Sequence, residues 1–236
     1  MEIIDKIRNL LKENSDEKYR ISGQRFFKEN VILYGVRSSD LKKISNDCFR
    51  EIKHLDKYEI FNICEALFQS GYLEESFVAC HFSYSVRKQY TIDDFIKFEG
   101  WISSYITNWA TCDTFCNHTV GELLELYPSL INSIIENWTI SENRWMKRAA
   151  AVSLIVPARK GMFLNEVIKI SDILLLDKDD MVQKGYGWLL KVASNKHLNE
   201  VFDYVMKNKS VMPRTSLRYA IEKMPAELKS KAMQKK

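Results

Sequence analysis

The sequence predicts an all-α protein, and three observations lead to that class. Apolar residues recur three and four positions apart along nearly the whole chain, as at Phe163, Val167, Ile170 and Leu174, which places them on one helix face. Sustained alternation of apolar and polar residues, the pattern of a half-buried strand, is absent from the sequence. Most glycines and prolines stand between the periodic segments, so they separate helices of ordinary length.

Helix boundaries can be assigned in order along the chain from capping and breaking residues. The predicted N-caps are Ser39 before DLKKI, Thr91 three residues before Asp94, Ser141 before ENRW, and Asp179 or Asp180 before MVQK. The predicted stops are Gly35, Gly71, Pro128, Pro157, Gly161, Pro213 and Pro225. These boundaries predict about a dozen helices joined by short turns, with no linker and no low-complexity tract.

The helices pair at intervals of about 35 to 40 residues, which is the length of the two-helix units of HEAT-like repeats. Such units stack into solenoids that present a concave surface. We therefore expect a single domain over residues 1–236, a right-handed superhelical solenoid of HEAT-like helix pairs with a concave basic groove. Sequence similarity between the pairs is low, so an irregular helical fold remains the alternative.

Composition excludes several classes of protein. The chain has 236 residues, of which 46% are hydrophobic and 28% charged, as in ordinary globular proteins and unlike disordered ones. The opening MEIIDKIRNLLKEN is amphipathic and lacks the features of a signal peptide. No apolar run approaches the ~20 residues that span a bilayer, so we expect a cytoplasmic protein without membrane association. Five widely spaced cysteines suit free thiols in a reducing compartment.

Positive charge is concentrated in the C-terminal part of the chain. Residues 141–236 hold 19 Lys and Arg against 10 Asp and Glu, a net charge of +9, within a chain whose total is +4. The remaining residues hold 16 against 21 and carry a net charge of −5. This distribution fits either an anionic partner such as nucleic acid or a solvated basic face.

The stretch ITNWATCDTFCNHTVG, residues 106–121, places unusual side chains on one helical stripe. Trp109 and Asp113 are four residues apart and therefore face the same small volume. They form either a site or a core indole beside an acid that caps or pairs elsewhere. Cys112, Cys116 and His118 are too few for structural zinc, which needs four ligands, so we expect no metal and small buried thiols.

The stretch ENRWMKRAAAVSLIVPARKG, residues 142–161, predicts a helix with a basic face and a small apolar face. Arg144, Lys147 and Arg148 share the basic face, which we expect to look outward. Its side chains could bind an anion or form surface salt bridges.

The stretch VQKGYGWLLKVAS, residues 182–194, aligns Lys184, Trp188 and Lys191 on one stripe. Gly185 and Gly187 lie inside the predicted helix at a cost of about 1 kcal/mol each, which indicates close approach of another helix or of a ligand. We expect Trp188 to be solvated, and an exposed indole contributes nothing to folding.

Together these stretches carry a family resemblance. NWATCD, SENRWMKRAA and QKGYGWLLK, in this order and at these separations, resemble the AlkD-like DNA alkylation-repair family of HEAT-like repeat DNA glycosylases. RFFKENVILYGVRSSDLKKI is similar to the opening helices of that family, and MPRTSLRYAIEKMP fits its last repeat. The resemblance therefore covers essentially the whole chain.

The resemblance implies roles for particular residues. It makes Asp113 the catalytic carboxylate, places Trp109 and Trp188 against the deoxyribose and backbone of the lesion, and assigns a phosphate to Arg148. The chain departs from the family pattern at Phe26, where some relatives have tyrosine, and at Asn108, where others have a second tryptophan. We expect further phosphate contacts and a backbone contact from the remaining candidates, Arg144, Lys147, Lys184, Lys191 and Phe26.

The implied function is that of a monomeric, cofactor-free DNA glycosylase. Its substrate would be double-stranded DNA with cationic alkylated bases, N3-alkyladenine or N7-alkylguanine, read from the backbone side without base flipping. A base that already carries positive charge leaves without a general acid, so one carboxylate suffices for the developing sugar cation. The alternatives are a non-catalytic HEAT-like protein that binds damaged or branched DNA, and a protein-binding scaffold. We expect the four central residues to converge in the groove.

Overall fold

The computed structural model describes residues 2–234, and its regular structure is helical. Two isolated β-bridges, Ser15 with Val36 and Ile32 with Tyr72, are the exceptions within this range. The prediction of an all-α protein built of helix pairs is therefore confirmed. No helix of the described residues is both long and apolar enough to cross a membrane.

Contacts between residues divide the chain into two compact units, the first ending at Phe115 and the second beginning at Cys116. The expectation of one domain over 1–236 stays a prediction. The first unit contains α1 (Glu2–Glu13), α2 (Glu17–Gln24), α3 (Ser38–Ile52), α4 (Lys57–Gln69), α5 (Leu73–Ser85), a 3₁₀ turn (Arg87–Gln89), α6 (Asp94–Tyr105) and α7 (Trp109–Phe115).

The second unit opens with a π-helical turn (Cys116–Val120) and includes another at Ile134–Trp138. Its α-helices are α8 (Gly121–Leu126), α9 (Leu130–Ser133), α10 (Arg144–Val152), α11 (Ile155–Arg159), α12 (Leu164–Leu174), α13 (Asp180–Ala193), α14 (Leu198–Asn208), α15 (Arg214–Ile221) and α16 (Ala226–Met233). Residues 2–234 thus hold sixteen α-helical segments, more than the dozen expected, partly because the π-turns interrupt helical runs.

Side-chain caps fix several helix starts. The Asp179 carboxylate accepts the backbone N–H groups of Met181 and Val182, so the predicted cap of α13 is confirmed. At α10 the cap is Asn143, which accepts from Trp145, and the prediction of Ser141 was two residues early. The prediction of Ser39 was also wrong, because α3 already begins at Ser38.

An aromatic cluster forms the core of the first unit. The rings of Phe61 and Trp101 meet edge to face at 5.4 Å, and those of Phe68 and Phe115 do so at 5.6 Å. Such pairs contribute about 0.5–1.5 kcal/mol beyond the area they bury. Phe115 ends α7, so this cluster anchors the helix that carries Trp109 and Asp113.

Close helix packing on α13 organises the second unit. A Cβ added to Gly187 would lie 2.8 Å from Tyr219 Cβ and 2.9 Å from the Ser216 carbonyl oxygen, so only glycine lets α15 approach this closely. Beside it, the Tyr186 hydroxyl donates to Ser216 Oγ at 2.6 Å. Gly185 faces α10, where an added Cβ would lie 3.4 Å from Arg148 Cγ. The glycines therefore serve helix–helix approach.

All five cysteines are free and buried, as predicted: Cys48, Cys64, Cys80, Cys112 and Cys116. Burial raises the pKa of the Cys64 and Cys80 thiols above the usual value. These thiols stay protonated at neutral pH and act as small apolar side chains.

Candidate active site

Helix α7 begins at Trp109 and is capped by the residue before it. Asn108 is buried, and its side-chain oxygen accepts the backbone N–H of Thr111 at 2.9 Å. This is the N-cap geometry that satisfies a free donor of the first helical turn. The departure from the family pattern at Asn108 therefore has a structural role, since it fixes the start of the helix that presents the candidate catalytic residues.

The indole of Trp109 is held in one orientation by the segment that follows α2. Its Nε1–H donates to the carbonyl oxygen of Phe26 at 3.3 Å, and its ring stacks on Phe27 with centroids 5.5 Å apart and planes 27° apart. The indole also packs against a small buried cluster of Val31, Leu73 and Ala110. Trp109 is half-buried, so part of its surface remains open to solvent.

Asp113 lies one helical turn beyond Trp109, within the same α7. It is half-buried, while its neighbour Cys112 has no exposed surface. On the predicted stripe, Trp109 and Asp113 are therefore partly exposed, whereas the Cys112 thiol is buried. Burial of the next cysteine, Cys116, is also complete. Among residues 2–234, no group of three or more His, Cys, Asp or Glu could hold a metal ion.

Phe26 is 75% exposed, more than any other large hydrophobic side chain of the described residues. With Phe27 and Trp109 it lines an apolar cleft of about 300 Å³ in the first unit. Phe26 and Trp109, two of the predicted site residues, are therefore neighbours, although 83 positions separate them along the chain.

A buried carboxylate lines another side of this cleft and binds the backbone of the adjacent loop. Glu74 is 4% exposed and lines the cleft. Its carboxylate accepts the backbone N–H groups of Tyr34, Gly35 and Val36 at 3.0, 2.8 and 3.1 Å. The Tyr34 hydroxyl donates to the adjacent Glu75, and burial together with this bond raises the pKa of Tyr34. The loop at 34–36 is thereby tied to α5.

In the second unit, Arg148 lies inside the protein. It is 5% exposed, and its Nη1 donates to the carbonyl oxygen of Met181 at 2.5 Å. The expectation that Arg148 looks outward with the rest of its helix face is therefore wrong, because α13 packs over this side of α10. Its guanidinium joins α10 to the first turn of α13.

The other predicted cations of the second unit form ion pairs with acids of the same unit. Arg144 donates to Asp179 at 2.9 Å, and Lys184 lies 3.2 Å from Asp180. Two further pairs have the same character: Lys147 with Asp177 at 2.9 Å and Lys191 with Glu222 at 3.1 Å. The net charge of +9 therefore overstates the unpaired positive charge on α10 and α13.

Trp188 lies on α13 between Lys184 and Lys191 along the helix. It is half-buried, so the expected solvated indole is found only in part. Gly187 beside it is buried against α15, which fixes the backbone from which the indole projects. The structure thus gives Trp188 a rigid base and a partly exposed surface.

Three residues that support the first-unit site escaped prediction from the sequence. Asn108 caps α7, Phe27 stacks on Trp109, and Gln24 bridges the loop after α2 through the Glu29 carbonyl oxygen and the Val31 N–H. The Asn108 cap is the one with a sequence signal, since asparagine before a helix is a common N-cap. Phe27 and Gln24 act through contacts that periodicity does not reveal.

Comparison with known proteins places this arrangement in a family. The sequence profile described as DNA alkylation repair enzyme matches residues 7–224. A solved structure of a predicted DNA alkylation repair enzyme from Enterococcus faecalis is similar with a TM-score of 0.81 and 15% identity. This similarity covers 90% of this chain and 98% of that one, and at this identity it shows a shared fold. No curated protein matches the chain by sequence. The chain belongs to the DNA alkylation repair enzyme family.

Proposed function

We propose that the protein is a DNA glycosylase that removes cationic alkylated purines, N3-alkyladenine and N7-alkylguanine, from duplex DNA without base flipping. The observation that carries the proposal is the pair on α7: a half-buried carboxylate, Asp113, one turn from an indole that Phe26 and Phe27 hold in place. Family membership supports DNA as the substrate.

The proposed reaction needs one carboxylate. When the N-glycosidic bond breaks, its electron pair goes to the base nitrogen and neutralises the positive charge of the alkylated ring. The base therefore leaves without a proton. Positive charge develops on the deoxyribose, where Asp113 stabilises it and orients a water molecule. The water oxygen bonds to C1′ and releases one proton to solvent.

In this proposal, the indole of Trp109 acts on the sugar. Its face contacts C–H bonds of the deoxyribose, which become more positive in the transition state, and for Trp188 the same role is what the family resemblance implies. By analogy with cation–π contacts, each indole supplies about 0.5–2 kcal/mol. The fixed orientation of Trp109 supports this role, because a preorganised ring loses little freedom when the substrate arrives.

Phosphate contacts are assigned to the basic side chains of α10 and α13. Arg144, Lys147, Lys184 and Lys191 each have a carboxylate partner, so DNA phosphates must replace those carboxylates. The phosphate contact proposed for Arg148 requires its guanidinium, 5% exposed, to become accessible. Binding through these residues then exchanges one ion pair for another. The gain in binding free energy is therefore smaller than five free cations would give.

The test of function is base release from a duplex that contains one 7-methylguanine, detected by alkaline cleavage at the abasic site. The wild-type chain should release the base. Asp113→Asn should release it about 10²- to 10³-fold more slowly, which is the usual loss when one electrostatic stabiliser is removed. Asp5→Asn, a change at an exposed acid of α1, is the matched control and should keep the wild-type rate.

The same assay separates the glycosylase from a non-catalytic DNA-binding protein. Duplex affinity is measured in parallel by fluorescence anisotropy. Asp113→Asn should retain binding while it loses release. Equal release by Asp113→Asn and wild type would refute the catalytic role of Asp113. Tight binding by the wild type without release would favour the non-catalytic alternative.

A further inference from the structure

The chain after α2 makes a tight turn at residues 24–27, which we call the Arg–Phe tip. The backbone N–H of Phe26 donates to the Gly23 carbonyl oxygen and that of Phe27 donates to the Gln24 carbonyl oxygen, both at 3.1 Å. The Gln24 side chain donates to the Glu29 carbonyl oxygen at 2.8 Å and accepts the Val31 N–H at 3.2 Å. Local bonds thus close both sides of the tip.

The tip presents a cation and an aromatic ring to solvent. Arg25 and Phe26 are both exposed, Phe26 to 75%. Within residues 2–234, Arg25 has no ion pair with an acidic side chain. This separates it from Arg144, Lys147, Lys184 and Lys191, whose charges are already matched by acids. The backbone of the tip and the Phe27 ring hold Trp109, whereas the exposed side chains of Arg25 and Phe26 are available to a ligand.

The tip is joined directly to the candidate catalytic helix. The Phe26 carbonyl oxygen accepts from Trp109 Nε1 at 3.3 Å, and Phe27 stacks on the same indole. Arg25 is therefore one residue from a group that contacts Trp109. A ligand whose sugar lies against Trp109 would bring a neighbouring phosphate within reach of a long, flexible guanidinium.

We propose that Arg25 binds a DNA phosphate next to the lesion, and that Gln24 is a positioning residue that holds Arg25 and Phe26 in place for this contact. The proposal rests on the proposed function for the choice of DNA as partner. A guanidinium matches a phosphate with two parallel N–H···O bonds. Among the described residues Arg25 has no carboxylate partner, so it can bind a phosphate without first breaking an ion pair. The paired basic residues of α10 and α13 must break one.

Salt dependence distinguishes a phosphate contact from other causes of weak binding. The binding constant K falls as salt rises, and each phosphate neutralised makes the negative slope of log K against log salt steeper by about 0.9. One contact therefore changes affinity by about 3.5-fold between 50 and 200 mM salt. Removal of a residue that only positions the tip lowers affinity at every salt concentration and leaves the slope unchanged.

The experiment measures duplex binding by anisotropy from 50 to 200 mM salt for four variants of the full chain. Arg25→Ala should make the slope shallower by about 0.9, and Arg25→Lys should restore the wild-type slope. Lys18→Ala, at an exposed lysine of α2, is the matched control and should keep the wild-type slope. Gln24→Ala should give a line parallel to that of the wild type but at lower affinity. It should also change the fluorescence of Trp109, which is obtained as the difference between proteins with Trp109 and the Trp109→Phe variant.

Two results would overturn the proposal. One is a wild-type slope in Arg25→Ala; the other is an equal fall in Arg25→Ala and Lys18→Ala, which would indicate a general charge effect. Wild-type affinity in Gln24→Ala at every salt concentration would remove the positioning role of Gln24. Far-ultraviolet circular dichroism confirms that each variant is folded. These measurements use binding alone, so they stand even if Asp113→Asn disproves the catalytic role.

Discussion

Replacement of Gly187 by alanine should destabilise the second unit, although alanine is the better helix former. The added Cβ would lie 2.8 Å from Tyr219 Cβ, 2.9 Å from the Ser216 carbonyl oxygen and 3.0 Å from Ser216 Cα. Two of these atoms belong to the backbone of α15, so side-chain rotation cannot remove the overlap. Instead α13 and α15 must move apart. Overpacking costs about 1–3 kcal/mol, and because backbone atoms are involved we place this case in the upper part of that range, at about 2–3 kcal/mol.

The helix propensity of alanine recovers about 1 kcal/mol of that cost. The net loss in the free energy of unfolding should therefore be about 1–2 kcal/mol. Gly185, two residues earlier in α13, is the matched control. There the added Cβ would meet Arg148 Cγ at 3.4 Å and Ala151 Cβ at 3.8 Å, which is ordinary contact. Gly185→Ala should consequently gain up to about 1 kcal/mol.

Urea denaturation followed by circular dichroism gives the free energy of unfolding for both variants and the wild type. The two glycine variants should differ by about 2–3 kcal/mol and have opposite signs. If Gly187→Ala is as stable as the wild type, or if both changes have the same sign, then α15 does not approach α13 as closely as described.

Three further changes test other contacts by the same denaturation assay. Lys57→Met should cost about 3–5 kcal/mol because it leaves the buried Asp94, 2.9 Å from Lys57 Nζ, without its cation; the additional change Asp94→Leu should recover most of the loss. Glu74→Gln should cost about 1.5–3 kcal/mol, since an amide cannot accept three backbone N–H groups of residues 34–36 as strongly as a carboxylate. Burial lowers the pKa of His81 below its ordinary 6.5, so the unfolded chain binds a proton more readily. The free energy of unfolding should fall as the pH drops below 6.5, and His81→Gln should reduce that fall.

Local sequence patterns predicted much of the secondary structure. Asp179 and Asp180 were the two predicted caps of α13, and the Asp179 side chain accepts the N–H groups two and three residues away. Two of the predicted stops, Gly71 and Gly161, follow the ends of α4 and α11 and have positive φ of 74° and 89°; Gly35, with φ of 87°, lies eleven residues after the end of α2 and ends no helix. The π-turns at Cys116–Val120 and Ile134–Trp138 had no such signal, and their residues read as ordinary helix.

The candidate site was predictable only in part. Trp109 and Asp113 lie on one helix, so their spacing alone placed them together. Their surroundings did not follow from spacing, because the groups that hold the indole, Phe26 and Phe27, come from the segment after α2. The family resemblance assigned a DNA contact to Phe26. Arg25 beside it became a candidate only because the structure shows which other cations form ion pairs.

The sequence by itself determined the helical class, some helix boundaries, the free thiols and the family, because these depend on periodicity, capping and motifs read within a few residues. Tertiary structure decided which charges are paired and which aromatic rings are exposed. Lys147 meets Asp177 across 30 positions, Arg148 meets Met181 across 33, and Trp109 meets Phe26 across 83. The physical reason is that desolvation and ion pairing depend on which helices pack together, and charge counts along a chain do not contain that information.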